Sequence, residues 1–340
     1  MRKKTYKIDV VIPAYNAEKF IKFSINSVLN QTLLPSNIIV VDDCSTDNTA
    51  KIVSALQSKH PIIKYIKIGF NRGPSVARNL GIRQSTSDFI AMLDADDMWA
   101  TTKLEKQITK FLRSPYKKNL AAVYTGCLDI DSKNSFFTFQ NAFRLNKAIK
   151  GNIFSKLKNG NVISGSCSSI MIKKAYLTEI GLFDESLEAC EDWDLWLRLS
   201  YKYLFDYVNE ELTYIRRHDN NAQWNLTRMI SGHLKFYSKI FNEKNLTFYR
   251  CMGFRAWIFR SYFPVSNIYE FFQLALNPSK IVKTLNVNLE HYDSWLNYTS
   301  PAFRKHFLSL TSFTILIWYL LAISFFSAVK KKILIFFRLA

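Results

Sequence analysis

Four largely apolar, mostly β-branched runs, at 8–15, 38–41, 62–68 and 88–93, of which 38–41 is unbroken, constrain the fold of this chain more than any other feature. A strand that is apolar along its whole length is covered on both faces, which implies a parallel sheet with helices above and below. The intervening stretches supply those helices. Phe20, Ile21, Ile25, Val28 and Leu29 fall at helical spacing in 17–31, and Leu104, Ile108, Phe111 and Leu112 do so in 101–112. A further helix is expected at 74–84, and Ser45-Thr46-Asp47 offers a cap for another. Later segments read as a strand at 165–172, helices at 174–180 and 191–201, and two strands at 204–208 and 212–217. From about residue 220 the alternation gives way to aromatic-rich, helical stretches running to about 297.

Ligands of open α/β sheets sit beyond the carboxyl ends of the strands. Those ends carry Tyr15-Asn16, Asp42-Asp43, Asn71-Arg72-Gly73 and Asp94-Ala95-Asp96-Asp97. Carboxylates packed as closely as Asp94, Asp96 and Asp97 repel one another, and a hard cation shared with phosphate oxygens relieves that repulsion. The other reading is a cap for the helix that begins near Thr101. Asp42-Asp43 has two readings as well: acceptors for a nucleobase N–H such as the N3–H of uracil, or part of a capped turn.

Charge and composition remove several classes. The 340 residues hold 46 Lys or Arg against 27 Asp or Glu, a net of +19, with 48% hydrophobic and 15% aromatic content, which excludes intrinsic disorder. The surplus is spread along the chain, +9 over residues 1–200 and +10 over the rest, with no nucleic-acid motif or basic stripe, so no nucleic-acid partner is expected. An anionic membrane surface or a phosphate-bearing substrate accounts for it instead. The cysteines, Cys44, Cys127, Cys167, Cys190 and Cys251, are scattered and form no C-x-x-C pair, so neither a disulfide scaffold nor a zinc site is expected. The apolar run after the basic N-terminus is too short for a signal peptide, and the chain reads as cytoplasmic.

Taken together, the segments carry a resemblance. Val10-Val11-Ile12-Pro13-Ala14-Tyr15-Asn16, Val40-Val41-Asp42-Asp43-Cys44-Ser45-Thr46-Asp47, Asn71-Arg72-Gly73-Pro74-Ser75-Val76-Ala77-Arg78-Asn79, Leu93-Asp94-Ala95-Asp96-Asp97 and Glu191-Asp192-Trp193-Asp194-Leu195-Trp196 stand in one order. Over residues 8–218 the chain resembles the family 2 glycosyltransferases of bacterial glycan assembly. The resemblance implies a GT-A fold, a Rossmann-like nucleotide-binding sheet joined to an acceptor-binding half. It also implies inverting transfer of a sugar from a nucleoside diphosphate donor, UDP favoured, to a glycan or lipid-linked acceptor, such as an O-antigen or capsule intermediate.

Carried over residue by residue, Pro13, Tyr15 and Asp43 would hold the base and ribose, and Arg72 or Arg78 would approach the nucleotide. Asp94, Asp96 and Asp97 would form the site for Mg²⁺ or Mn²⁺, with Asp96 and Asp97 nearest the metal. Asp192 would be the general base. His218 is either a further group at the diphosphate and metal or a solvated histidine. Trp193 is the one aromatic of its helix placed to meet a sugar; core packing is the other reading for it. Cys44 stands where many relatives have Gly or Asn, a change expected to alter the turn rather than the site.

The resulting division is a GT-A domain over 1–219, a helical accessory region over 220–300, and an apolar, basic tail over 301–340. Within that tail, 307–329 is uncharged, long enough to span a bilayer, and flanked by basic residues at both ends, which gives no orientation. Membrane attachment, as a span, a hairpin or a surface helix, is expected over burial in the accessory region, and the cytoplasmic reading of the chain together with the resemblance implies the cytoplasmic face of a bacterial inner membrane. Two rival functions fit such a sheet: a nucleotidyl- or phosphosugar transferase, which would need a Gly-rich phosphate loop after the first strand, and a non-catalytic glycan- or membrane-binding module. Pro13-Ala14-Tyr15-Asn16-Ala17 is no such loop, and Asp96 and Asp192 are both present.

Overall fold

The structure, a computed structural model, describes residues 6–137, 149–158, 160–163, 165–218, 221, 228, 229, 232, 233, 235, 236 and 239. Its strands are β1 (Ile8–Ala14), β2 (Asn37–Asp42), β3 (Ile63–Lys67), β4 (Phe89–Met92), β5 (Met98–Trp99), β6 (Leu120–Ile130), β7 (Phe136–Phe137), β8 (Ile170–Lys173) and β9 (Leu204–Arg216). The helices are α1 (Ile21–Leu29), α2 (Thr49–Gln57), α3 (Pro74–Gln84), α4 (Lys103–Arg113), α5 (Phe154–Leu157), α6 (Lys174–Glu179) and α7 (Glu191–Lys202), with a 3₁₀ turn at Ser166–Ser169. The chain divides into two compact units, Met1–Trp224 and Asn225–Ala340. In the second, the described residues are helical, and the apolar run 307–329 lies outside the described residues. Among the described residues no helix is long and apolar enough to cross a membrane.

The first unit is built on one sheet in the order β3-β2-β1-β4-β8-β6-β9-β5, with β7 paired to β6. The runs of β1 and β2 lie inside it as their patterning requires, with Ile38, Ile39, Val40, Val41, Val10, Val11 and Ile12 fully buried, whereas β3, with Lys64 and Lys67 exposed, forms the sheet's edge instead of a strand covered on both faces. Helix α3 lies directly on β1, since a Cβ at Gly81 would stand 2.5 Å from Val11 Cγ1. Helix α4 buries Leu104, Gln107, Ile108 and Phe111. Leu112 lies at the margin of that arc and is 49% exposed, unlike the sequence expectation.

The sheet departs from an all-parallel arrangement after its fourth strand. Strands β3, β2, β1 and β4 are parallel, but β8 runs antiparallel to both β4 and β6. Only part of the expected strand at 165–172 forms. Gly165 adopts a left-handed conformation (φ 71°), and the next four residues make the 3₁₀ turn before β8 begins. The two strands expected at 204–208 and 212–217 are one, β9, in register with β6 apart from bulges opposite 120–127. Its exposed Asn209, Glu210 and Glu211 read as a break in the sequence, yet they are a solvent-facing stretch of a continuous strand.

This topology collects chain ends on one edge. The carboxyl ends of β1, β2 and β4, the amino end of β8 and the carboxyl ends of β6 and β9 all lie there, as the pairings Ala14 with Asp42, Ala91 with Met171, Tyr124 with Ile170 and Ile130 with Arg216 require.

Candidate active site

At the ends of β1 and β2, polar side chains splice two loops together. Asn16 takes a left-handed conformation (φ 47°). Its amide donates to Ser45 Oγ at 2.9 Å, and its side-chain oxygen accepts from the Thr46 amide at 2.9 Å. Asp47 accepts from the Thr49 amide at 2.9 Å and the Glu18 amide at 3.0 Å. Asp42 accepts from the Ser45 amide at 2.7 Å and the Tyr65 hydroxyl at 2.5 Å, so for Asp42 the capped-turn reading holds. Asp43 is different. Its two oxygens accept from the amides of Arg72 and Gly73 at 2.8 and 2.7 Å, drawing the loop after β3 toward the end of β2. Gly73 serves there at φ 88°. Tyr15 is 51% exposed beside this loop's anchor strand, while Pro13 is paired within β1 opposite Val41.

The two arginines separate cleanly. Arg72 is half exposed, 3.6 Å from Glu185, with its guanidinium 5.8 Å from the centroid of the exposed Phe70 ring. Arg78 is buried and bridges Asp94 and Glu191, each at 2.8 Å, with Phe183 under its guanidinium. It is therefore a buttress behind the crevice rather than a group open to a ligand. Removing one partner of a buried charge cluster leaves the others uncompensated. Arg78→Met is accordingly expected to lower the unfolding free energy by about 3 to 5 kcal/mol, read by urea denaturation.

The acid turn 94–97 is held from several sides. Asp97 is buried, and its oxygens accept from Ser168 Oγ at 2.6 Å and the Arg216 amide at 2.9 Å. Burial, reinforced by Asp96 and Asp94, pushes the Asp97 carboxyl well above the usual carboxylate range. Burial raises that of Asp94 as well, against the pull of Arg78. Asp96 turns the other way: its Oδ2 lies 3.1 Å from His218 Nε2 and 3.3 Å from Asn221 Nδ2. The His218 ring packs at 4.9 Å on Phe20. Of the three residues expected nearest a metal, the structure joins Asp96 and His218 and gives Asp97 inward partners. Among the described residues no group of three or more His, Cys, Asp or Glu is arranged to hold a metal ion.

Asp192 stands in the first turn of α7, which opens from a left-handed Cys190 (φ 62°). The Asn161 side-chain amide is 3.5 Å from its Oδ2. Arg78, bound to both Asp94 and Glu191, brings the first turn of α7 and the acid turn to one place. Trp193 is buried with its indole donating to the Leu157 carbonyl at 2.7 Å, so core packing is its role.

Two residues absent from the sequence expectations organise the site. Ser168 links the Asp94 amide to Asp97. Arg216 donates from Nε to the Asp96 carbonyl at 2.7 Å and from Nη1 to the Asp131 carbonyl at 2.7 Å, with Phe20 4.7 Å from its guanidinium carbon. The Arg216-Arg217-His218 run was the available signal for the second. For Ser168 there was none, because a small polar residue in an apolar stretch has many explanations.

Known proteins give this geometry its context. An uncharacterised glycosyltransferase of Rickettsia bellii is 32% identical over 71% of this chain, and the chain spans about a third of that relative's length, 33%. The Escherichia coli protein WfgD, a UDP-Glc:α-D-GlcNAc-diphosphoundecaprenol β-1,3-glucosyltransferase, is 32% identical over 57% of this chain and 70% of its own. In fold, the chain resembles Staphylococcus aureus TarS residues 1–349 solved with UDP, at a TM-score of 0.57 and 20% identity, covering 88% of this chain and 80% of that one. That likeness establishes the GT-A-like sheet. The family model described as Glycosyl transferase family 2 matches residues 9–180, just over half of the chain. It runs from β1 past the end of α6 and takes in the carboxyl ends of β1, β2 and β4; the chain belongs to glycosyl transferase family 2.

Proposed function

We propose that this chain transfers a sugar, with inversion, from a UDP-sugar to a lipid-linked or polysaccharide acceptor. The observation that carries the reading is the gathering of Tyr15, Asp43, Arg72 and the Asp96–His218 pair along one sheet edge, with Asp192 on the helix beside it. The WfgD name couples a UDP-glucose donor to a diphosphoundecaprenol-linked acceptor, and the donor and acceptor classes here follow it.

Tyr15 supplies an exposed ring for the uracil face, and Pro13 shapes the same strand end. Each Asp43 oxygen keeps a lone pair beyond its backbone bond, enough to accept the uracil N3–H while still holding the loop. Arg72 meets the diphosphate once it exchanges Glu185 for phosphate oxygens. The Asp96 carboxylate would hold Mg²⁺ or Mn²⁺ beside the diphosphate, with the His218 imidazole, 3.1 Å from it, as a second donor for Mn²⁺. With a divalent cation held there, Asp96 and His218 would place positive charge against the departing nucleoside diphosphate. Asp192 takes the acceptor hydroxyl proton as that oxygen bonds to the anomeric carbon and the bond to the phosphate oxygen breaks. The uncharged run 307–329 supports attachment to a membrane, which for this reading is the inner membrane on its cytoplasmic side, where UDP-sugars are made available to the enzyme.

The test is a donor screen. Purified protein with undecaprenyl-diphosphate-linked acceptors should release UDP from one UDP-sugar, dependent on acceptor and abolished by chelator. No release from any UDP-sugar, or release indifferent to chelator, would contradict the proposal.

A further inference from the structure

Ser168 belongs to the 3₁₀ turn that precedes β8, and because β8 runs antiparallel beside β4, that turn is delivered to the carboxyl end of β4. It is fully buried and uses one hydroxyl twice, accepting from the Asp94 amide at 3.0 Å and donating to Asp97 Oδ2 at 2.6 Å. Its carbonyl accepts from Trp99 Nε1 at 2.7 Å, so three points of the segment 94–99 are tied to this one residue. The next carbonyl, that of Ser169, accepts from Gln107 Nε2 at 3.0 Å. Gln107 in turn accepts from Lys103, whose ammonium sits 3.9 Å from the centroid of the Trp99 ring. From the opposite side Ser24 Oγ lies 2.7 and 2.6 Å from the carbonyls of Ala95 and Asp97.

The consequence concerns direction. Asp94 is committed to Arg78, and Asp97 to Ser168 and the Arg216 amide, which leaves Asp96 as the carboxylate of the turn that faces His218. We infer that Ser168 is a positioning residue: by holding the Asp94 amide at one end of the acid turn and the Asp97 carboxylate at the other, it fixes where the Asp96–His218 pair is presented to cation and diphosphate. This inference rests on the proposed transferase reading. Groups that orient metal ligands from behind typically change metal affinity or activity by about 10- to 100-fold when removed.

The experiment compares Ser168→Ala, Asp97→Asn and the double variant with the intact chain. Mn²⁺ affinity in the presence of UDP is read by electron paramagnetic resonance, UDP affinity in chelator by calorimetry, and kcat and KM from UDP release. In Ser168→Ala, Mn²⁺ affinity and kcat should each fall by about 10-fold or more, with UDP affinity in chelator within about twofold of the parent. The double variant should lose less than the product of the two single losses, because the Ser168–Asp97 bond is counted in both. Parental Mn²⁺ affinity in folded Ser168→Ala, or losses that multiply in the double variant, would overturn the inference. If the parent itself binds no Mn²⁺, the transferase reading falls, and exchange of the Asp94 amide proton decides about Ser168 separately. Faster exchange in Ser168→Ala supports the lock, and equal exchange overturns it.

Discussion

Asp96→Ala is expected to cut sugar transfer by about 10²-fold or more while leaving the protein as stable as its parent or slightly more so. The two halves of this expectation have one cause. Asp96 raises the proton affinity of both Asp94 and Asp97, so three carboxylates crowd one turn and deleting the third-exposed one relieves repulsion. His218 is left without its carboxylate partner, and the diphosphate without the cation that the pair would hold. Steady-state rates and thermal melting read the two halves independently. A fully active variant would remove Asp96 from the mechanism, and a melting temperature lowered by many degrees would make it a structural residue.

Asp192→Asn should lower kcat by about 10²- to 10⁴-fold with UDP affinity little changed. The amide preserves size and can still meet Asn161, but it cannot accept a proton from a sugar hydroxyl. Glu191 does not replace it, because its carboxylate is bound to Arg78 at 2.8 Å. Loss of UDP binding in step with kcat would show that Asp192 serves the donor instead.

The nucleotide half was readable because its determinants are local. A fully buried strand needs an uninterrupted apolar run, and the residue that follows it is placed by that run alone, so Tyr15, Asp43 and the acid turn fall where periodicity put them. The other half depends on pairings distant in sequence. Strand β6 contains Ala121, Ala122 and Gly126, which carry little strand signal, yet it pairs with β9 some eighty residues on and with β8. The antiparallel insertion of β8 could not be inferred from its composition, and with it went Ser168. Arg72 and Arg78 were alternatives in the sequence because both are six residues apart in one loop-helix segment; burial separates them, since the helix turns Arg78 inward toward Asp94 and Glu191. Asp97, adjacent to Asp96, points to different partners because two carboxylates side by side are most stable when one is satisfied by neutral donors.

In the proposed mechanism one carboxylate, Asp192, activates the acceptor, and the acceptor oxygen attacks the donor directly. The anomeric configuration of the initial product, followed by proton NMR from an α-linked UDP-sugar, tests it most directly. Direct attack predicts a β-linked product from the first turnover. An α-linked product would require either a covalent sugar intermediate or front-face attack, and would contradict the account.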